Sequence, residues 1–169
     1  MKQISTTIMT RFVLTIPTIG KSVLHARRGA GPVRTFDLED GLTFLEHEDD
    51  QLFKNKMIEL LTCGKYDFIT SQLYLTPFCN LPLPLIEKLK PLFVLPKSND
   101  YNYWIKRSIE IRGCQAISEY FMESMNRDLP LILNRFASDV RWLSIGQTLE
   151  EILRHELSKN SRAPWTFEL

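Results

Sequence analysis

The sequence has little of what would assign its class directly. It holds three cysteines, Cys63, Cys79 and Cys114. An odd number at wide spacing excludes a disulfide framework, and no CxxC pair indicates zinc. No apolar run approaches the roughly 20 residues that span a bilayer. The formal net charge is only +1, so no overall field attracts nucleic acid or an anionic membrane.

The chain does have an ordinary globular composition with an unevenly distributed charge. Hydrophobic residues make up 44% of it, and a chain of this length buries a core without disulfides or metal. The first 35 residues contain six lysine and arginine residues and no acidic residue, since the first acidic residue is Asp37. We interpret residues 1–35 as a basic, partly extended arm, residues 36–160 as the folded domain and residues 161–169 as an extended tail. Organelle transit peptides and arms that contact phosphates or an acidic partner share the arm's composition.

The arm contains one segment with strand character. Phe12 to Ile16 is rich in β-branched and aromatic residues, which favour extended backbone. Residues 35–38 and 42–45 are candidate partners, because they alternate and Asp40-Gly41 between them is a hairpin signal. The sequence therefore predicts a small N-terminal β element.

A glycine pair follows in the arm. Gly29 and Gly31 stand beside Arg27 and Arg28, a composition that could cradle a phosphate. Pro32 opposes a helix start there, and no GKS or GKT follows this pair. The segment is more typical of a mobile linker than of a nucleotide loop.

From Asp49 onward the apolar spacing predicts a mainly α-helical, compact domain of five to six helices. The first helix begins at Asp49–Asp50 and ends at Gly64, and its inward face is Leu52, Phe53, Met57, Leu60 and Leu61. The run from Tyr66 to Leu75 fits a helix or a short strand. Pro82 and Pro84 open a short helix, after which residues 92–95 form an exit segment.

The C-terminal half reads as further helices. One long helix, or two nearly collinear ones, runs from Tyr101 to Met125 across Gly113, whose presence indicates a close approach of another element. The pattern breaks at residues 126–128, and Pro130 lies in the first turn of a helix with Val140 inward. Thr148 and Glu151 have the spacing of a capping box before a last amphipathic helix.

No set of residues has a spacing that supports catalysis. His25, His47 and His155 lie in separate segments, and His155-Glu156 does not continue as HExxH. Ser144 lacks the first glycine of GxSxG. The sequence thus predicts no catalytic, cofactor-binding or metal-binding residue and no cofactor. Arginine and tryptophan are frequent in binding hot spots, so the predicted partner-binding residues are Arg27, Arg28, Arg107, Arg135, Arg141, Trp142 and Trp165.

Residues 50–140 resemble the SctK family of type III secretion systems. The resemblance rests on Leu61-Thr-Cys-Gly-Lys65, on Leu81-Pro-Leu-Pro-Leu-Ile86, on Gly113, and on Leu129-Pro130 with Arg135. It implies a helical, non-enzymatic cytosolic adaptor at the face of the inner membrane, with secretion ring and sorting-platform proteins as partners. The basic arm and the last helix do not match that family.

The predicted function is accordingly a cytoplasmic, non-enzymatic protein-binding adaptor that is at most peripheral to a membrane. One alternative is a nucleic-acid- or ribosome-associated organellar factor that binds through the basic arm. Such binding would weaken steeply as the salt concentration rises. The other is a small inhibitor or immunity-type protein that binds one target enzyme.

Overall fold

The computed structural model describes residues 7–16, 19, 21–27, 31–72, 87, 89–113, 115–159 and 165–166. Its strands are β1 Thr7–Ile8, β2 Arg11–Thr15, β3 Thr35–Asp37, β4 Phe68–Gln72, β5 Leu92–Pro96, β6 Val140–Leu143 and β7 Trp165–Thr166. Its helices are α1 Lys21–Ala26, α2 Leu38–Gly41, α3 Phe44–Glu48, α4 Asp50–Thr62, α5 Tyr101–Arg112, α6 Gln115–Phe136 and α7 Leu149–Ser158. Short 3-10 turns at Ser98–Asp100 and Ala137–Asp139 precede α5 and β6.

Five of the strands form one sheet in the order β3-β4-β2-β5-β6. All neighbours in it are parallel; Phe12 of β2, for example, pairs with Ile69 of β4, and Leu14 pairs with Phe93 of β5. The predicted fold class is therefore wrong: the chain is an α/β protein with a parallel sheet, not a mainly α-helical domain. β1 and β7 form a separate antiparallel pair.

The sequence pattern did not predict these strands as a sheet because they are buried on both faces. Phe12, Val13, Phe93 and Val94 are fully buried, as expected for a parallel sheet covered by helices on each side. Such runs lack alternation, so periodicity alone does not separate them from buried helix segments. Residues 92–95 are consequently an inner strand rather than an exit segment, and Val140 begins a strand rather than facing inward from a helix.

The predicted N-terminal β element is also different from the observed structure. Residues 11–15 form a strand, as predicted, but it lies in the middle of the five-stranded sheet between β4 and β5. Residues 35–37 are a strand too, yet the expected hairpin is absent because residues 38–41 and 44–48 are helices α2 and α3. Part of the segment interpreted as an arm is thus central to the core.

Two helices agree with their predictions. Helix α4 begins after Asp49, whose side chain accepts a hydrogen bond from the Leu52 amide, and Gly64 beyond its end has a positive φ of 70°. Leu52 itself is exposed, so only the rest of the predicted face is buried. At α7, Thr148 and Glu151 form the predicted capping box, which satisfies amide groups that the helix leaves unpaired.

The long helical stretch divides differently from its prediction. Gly113 ends α5 in the left-handed conformation at φ 66°, and no atom lies near the position of a Cβ there, so a turn rather than a close approach requires glycine. Helix α6 then continues through the predicted break at residues 126–128 with Pro130 in its interior. Pro130 and Asn126 are exposed, so water can satisfy the Asn126 carbonyl that proline leaves unpaired.

The predicted helix opened by Pro82 and Pro84 lies outside the described residues, as does the glycine-pair segment at residues 28–30. In the part of the chain that is described, no helix has the length and apolar character needed to cross a membrane.

Candidate functional site

The strand order of the sheet points to the carboxyl ends of its central strands as a candidate site. The chain leaves β2 towards β3 on one side and leaves β5 towards β6 on the other, although β2 and β5 are neighbours. Where adjacent parallel strands send their connections in opposite directions, ligands of α/β proteins bind outside the carboxyl ends. The residues that follow β2 and its neighbours are therefore the candidates for a ligand site.

Lys21 is the first residue of the helix that follows β2. It belongs to the sequence Gly20-Lys21-Ser22, and its relative exposure is only 4%. A strand, a loop ending in GKS or GKT, and a helix together make up the P-loop, whose lysine reaches the phosphates of a nucleotide. A buried lysine in this position is the strongest chemical signal in the described structure.

The first glycine of that motif is replaced. The P-loop pattern GxxxxGKS places a glycine five residues before Gly20, where this chain has Thr15. Thr15 is fully buried at the end of β2, and its hydroxyl donates a 2.7 Å hydrogen bond to the Val94 carbonyl of β5. The side chain therefore joins the two central strands at the start of the loop.

Asp37, the last residue of β3, is a buried carboxylate at the same edge. Its Oδ1 accepts a 2.8 Å hydrogen bond from the Thr70 hydroxyl of β4. Burial raises the pKa of Asp37 to about 7, and the negative charge of Glu39 acts in the same direction. The positive charge of Lys21 and the Thr70 hydrogen bond oppose that shift. Asp37 thus lies within electrostatic range of Lys21 and exchanges its proton near neutral pH.

Glu39 is attached to the end of β4. Its Oε1 accepts hydrogen bonds from the Ser71 hydroxyl at 2.6 Å and from the Gln72 amide at 2.7 Å. Its Oε2 is buried and has no hydrogen-bond partner among the described residues. An unsatisfied carboxylate oxygen is costly in a protein interior, so this atom is an available acceptor beside Asp37.

His25 and Phe36 hold Asp37 in place from the side of α1. The Asp37 amide donates a 3.1 Å hydrogen bond to His25 Nδ1. The His25 and Phe36 rings meet edge to face at 4.9 Å. Gly41 at the end of α2 packs against the Phe36 ring. A Cβ at this position would lie 2.3 Å from a carbon of that ring, so only glycine fits there.

The predicted partner-binding residues do not form one cluster. Arg27 pairs with Glu150 at 3.0 Å and Arg135 pairs with Glu87. Arg141 pairs with the buried Glu156, while its neighbour Trp142 is 41% exposed on β6. Arg107 is exposed on α5, the backbone of Trp165 pairs with Ile8 in the β1–β7 ladder, and Arg28 lies outside the described residues. A partner-binding role for these residues stays a prediction.

The sequence predictions do not include Lys21, Asp37 or Glu39. A signal for Lys21 was nevertheless present, because GKS at residues 20–22 directly follows a segment with strand character and precedes the glycine pair considered above. No comparable signal marks Asp37 and Glu39, since only the parallel pairing of β3 with β4 and β2 brings them to the edge that Lys21 occupies.

Comparison with known proteins gives one structural similarity. No family model matches the chain, and no curated protein matches it. The crystal structure of a gluconokinase from Sinorhizobium meliloti 1021 is similar, with 13% sequence identity, a TM-score of 0.42, and coverage of 89% of this chain and 90% of that one. This level of similarity by itself assigns no activity or substrate. The resemblance to the SctK family is untouched by these comparisons and stays a prediction.

These findings correct the predicted function. The non-enzymatic adaptor is wrong because it rested on a helical body without reactive groups. The chain instead has a parallel sheet with the buried Lys21 and the buried Asp37 at its carboxyl edge. The two alternatives, a nucleic-acid-associated factor and a small inhibitor, account for neither the buried lysine nor the buried carboxylate and are not retained.

Proposed function

We propose that this chain binds a nucleoside triphosphate at the carboxyl edge of its sheet and transfers a phosphoryl group from it to an acceptor hydroxyl. The observation that carries the proposal is the buried Lys21, which lies in GKS after a central strand and acts electrostatically on Asp37. A strand followed by GKS and a helix is an arrangement that binds nucleotide phosphates.

The roles of the residues follow from their chemistry. The Lys21 ammonium contacts the β- and γ-phosphates. Asp37 accepts the proton of the acceptor hydroxyl while the acceptor oxygen bonds to the γ-phosphorus, and the bond to the β-phosphate oxygen breaks to release a nucleoside diphosphate. A base with a pKa of about 7 suits this role, because general bases work best near the ambient pH.

A divalent cation is compatible with these residues. Bound Mg²⁺ neutralises phosphate charge and usually takes one or two protein ligands, with phosphates and waters supplying the others. The described residues contain no group of three His, Cys, Asp or Glu side chains that could hold a metal without the nucleotide. Glu39, whose Oε2 has no hydrogen-bond partner among the described residues, is the residue that would hold the ion.

Thr15 supports a second candidate function, nucleotide binding without phosphoryl transfer. A side chain replaces the glycine that lets the P-loop backbone approach the phosphates, and its hydrogen bond to Val94 fixes the strand end. This arrangement is compatible with a bound nucleotide whose phosphates sit farther from the β2 backbone. The two candidates differ in turnover and share the dependence of binding on Lys21.

The proposal includes a cytoplasmic location and a reducing environment. Cys63 is a free, exposed thiol, and free thiols persist where the compartment keeps them reduced.

The test is nucleotide affinity in a Lys21→Met variant. Removing a hydrogen bond to a charged group costs about 1.5–3 kcal/mol, so the Kd for the Mg²⁺ complex of ATP or GTP should rise about ten- to hundredfold. The matched control is Lys65→Met, because Lys65 is an exposed lysine after α4. Titration calorimetry gives both affinities.

Release of inorganic phosphate from the wild-type complex, with water in place of the acceptor hydroxyl, separates the two candidates. Slow release that depends on Asp37 supports transfer, whereas binding without release supports the second candidate. Failure of the wild-type chain to bind either nucleotide at millimolar concentration would contradict both.

A further inference from the structure

Helix α3 and the start of α4 carry an exposed apolar patch inside an acidic segment. Phe44 and Leu45 are 76% and 68% exposed although they are consecutive large apolar residues. The segment from Asp37 to Asp50 has seven carboxylates and no lysine or arginine. Glu48, Asp49 and Asp50 are exposed beside the two apolar side chains. We call Phe44, Leu45, Glu48, Asp49 and Asp50 the α3 patch.

Helix α5 carries a surface of the opposite character. Its inward face is Tyr101, Trp104 and Ser108, all buried. Its outward face presents Tyr103, Lys106, Arg107 and Ile111, which recur at the i, i+3 and i+4 spacing of one helix side. Tyr103 and Ile111 are 39% and 57% exposed. We call these four residues the α5 stripe; Glu110 is the acidic residue on the same side.

The two surfaces complement each other in polarity and in charge. Each combines two exposed apolar side chains with ionised groups of one predominant sign. Within the described part of the chain, Lys106, Arg107, Glu48 and Asp50 form no ion pair. The surfaces do not cover each other in the folded chain, because both are exposed in the same structure. Adjacent exposed apolar groups with a charged border mark an interaction site.

We infer that the α3 patch of one copy binds the α5 stripe of a second copy. Phe44 and Leu45 pack between Tyr103 and Ile111, and Lys106 and Arg107 of the second copy face the carboxylates of Glu48 to Asp50. The contact is head to tail, since its two sides are different surfaces. The first copy therefore keeps a free stripe and the second copy a free patch, so association continues beyond a dimer until a ring closes.

The test uses one variant for each surface. Phe44→Asp removes an apolar anchor and adds repulsion within the α3 patch, and Arg107→Glu reverses charge on the α5 stripe. Each substitution is at an exposed position, and a thermal melt confirms that each variant folds. The matched controls are Ile145→Asp and Arg154→Glu, which change an exposed apolar and an exposed basic residue outside both surfaces.

The measurement is molar mass against concentration by analytical ultracentrifugation. The wild-type chain and both controls should grow beyond a dimer as concentration rises. Each surface variant should weaken association about tenfold or more, as loss of an interface anchor does. A 1:1 mixture of the two variants should form a heterodimer and stop there, since one intact patch and one intact stripe remain. Higher ionic strength should weaken the association.

Three results would overturn the inference. The first is a wild-type chain that stays monomeric at every concentration, which would assign the patch to a different protein or to none. The second is a surface variant that associates like its control. The third is a mixture of the two variants that fails to form a heterodimer.

Discussion

At the amino edge of the sheet charged side chains are paired with opposite charges, whereas at the carboxyl edge carboxylates are crowded together. Arg34, before β3, contacts both oxygens of Asp67, before β4, at 3.0 and 3.2 Å. Hydrogen bonds from Arg141 and Lys159 lower the pKa of Glu156 even though its burial acts to raise it. Asp37 at the other edge has the opposite shift, because burial and Glu39 outweigh Lys21.

This difference separates residues that stabilise the fold from residues that are available to a ligand. Arg11 at the amino edge forms ion pairs with two carboxylates, Asp139 at 3.1 Å and Glu156 at 3.6 Å. Buried charges of that edge therefore already have their counter-ions. At the carboxyl edge Glu39 Oε2 lacks a partner among the described residues, and burial raises the pKa of Asp37 to about 7; perturbed pKa values of this kind are typical of functional sites.

The largest expected effect is on turnover in an Asp37→Asn variant. The amide cannot accept the proton of the acceptor hydroxyl, and general bases contribute about 10²- to 10⁴-fold to rate. Phosphate release should fall by that factor while the Kd for the nucleotide changes far less. Thr70→Val is the control, since it removes the 2.8 Å hydrogen bond to Asp37 and leaves the carboxylate. Equal loss in both variants would assign Asp37 a structural role only.

Neutralising Glu156 should have the opposite outcome, a loss of stability with unchanged nucleotide binding. Breaking a buried ion pair costs about 3–5 kcal/mol, and partial exposure of Arg11 and Arg141 reduces the expected cost of Glu156→Gln to about 2 kcal/mol. Denaturant unfolding measures the cost. Nucleotide affinity should be unchanged, so a parallel loss of affinity would abolish the distinction between the two edges.

The pH dependence of stability provides a sharper test of Asp37. Its pKa is raised from 3.8 to about 7 in the folded chain, so the folded state holds the proton more tightly than the unfolded state. Stability is therefore highest below pH 4 with respect to this group and falls until about pH 7. Relative to wild type, Asp37→Asn should gain about 2–4 kcal/mol between pH 4 and pH 8. A constant difference across that range would show that Asp37 is not perturbed.

The smallest expected effect is at Arg27, which pairs with Glu150 across α1 and α7. The pair is 3.0 Å long, with side chains that are 41% and 24% exposed. Such pairs contribute about 0.2–1 kcal/mol, so Arg27→Gln should lower the free energy of unfolding by no more than that. The difference should disappear in 1 M salt, where charges are screened. A larger loss would mean that Arg27 belongs with the stabilising pairs of the amino edge.

Local signals predicted local structure well. The capping residues Asp49 and Thr148 located the starts of α4 and α7, because a cap and its helix are close in sequence. The strand character of Phe12 to Ile16 was also correct. Its neighbours were not predictable, since β2 pairs with β4 and β5, and Phe12 is 57 residues from Ile69. Pairing at that distance leaves no periodic trace in either segment.

The site was only partly predictable for the same reason. Gly20-Lys21-Ser22 is a sequence signal, and its meaning depends on the strand before it and the helix after it. Asp37 and Glu39 acquire their chemistry from burial and from Thr70 and Ser71, which lie more than 30 residues away. An exposed run of acidic residues and a buried reactive carboxylate have the same sequence pattern, and only the assembled sheet distinguishes them.

Amide chemical-shift mapping with a Mg²⁺–nucleotide complex tests the central claim most directly. If the carboxyl edge binds the phosphates, titration should shift the amide resonances of Lys21, Asp37 and Gln72, while those of Arg34, Asp67 and Glu156 stay in place. Shifts confined to the amino edge, or none at saturating nucleotide, would contradict it.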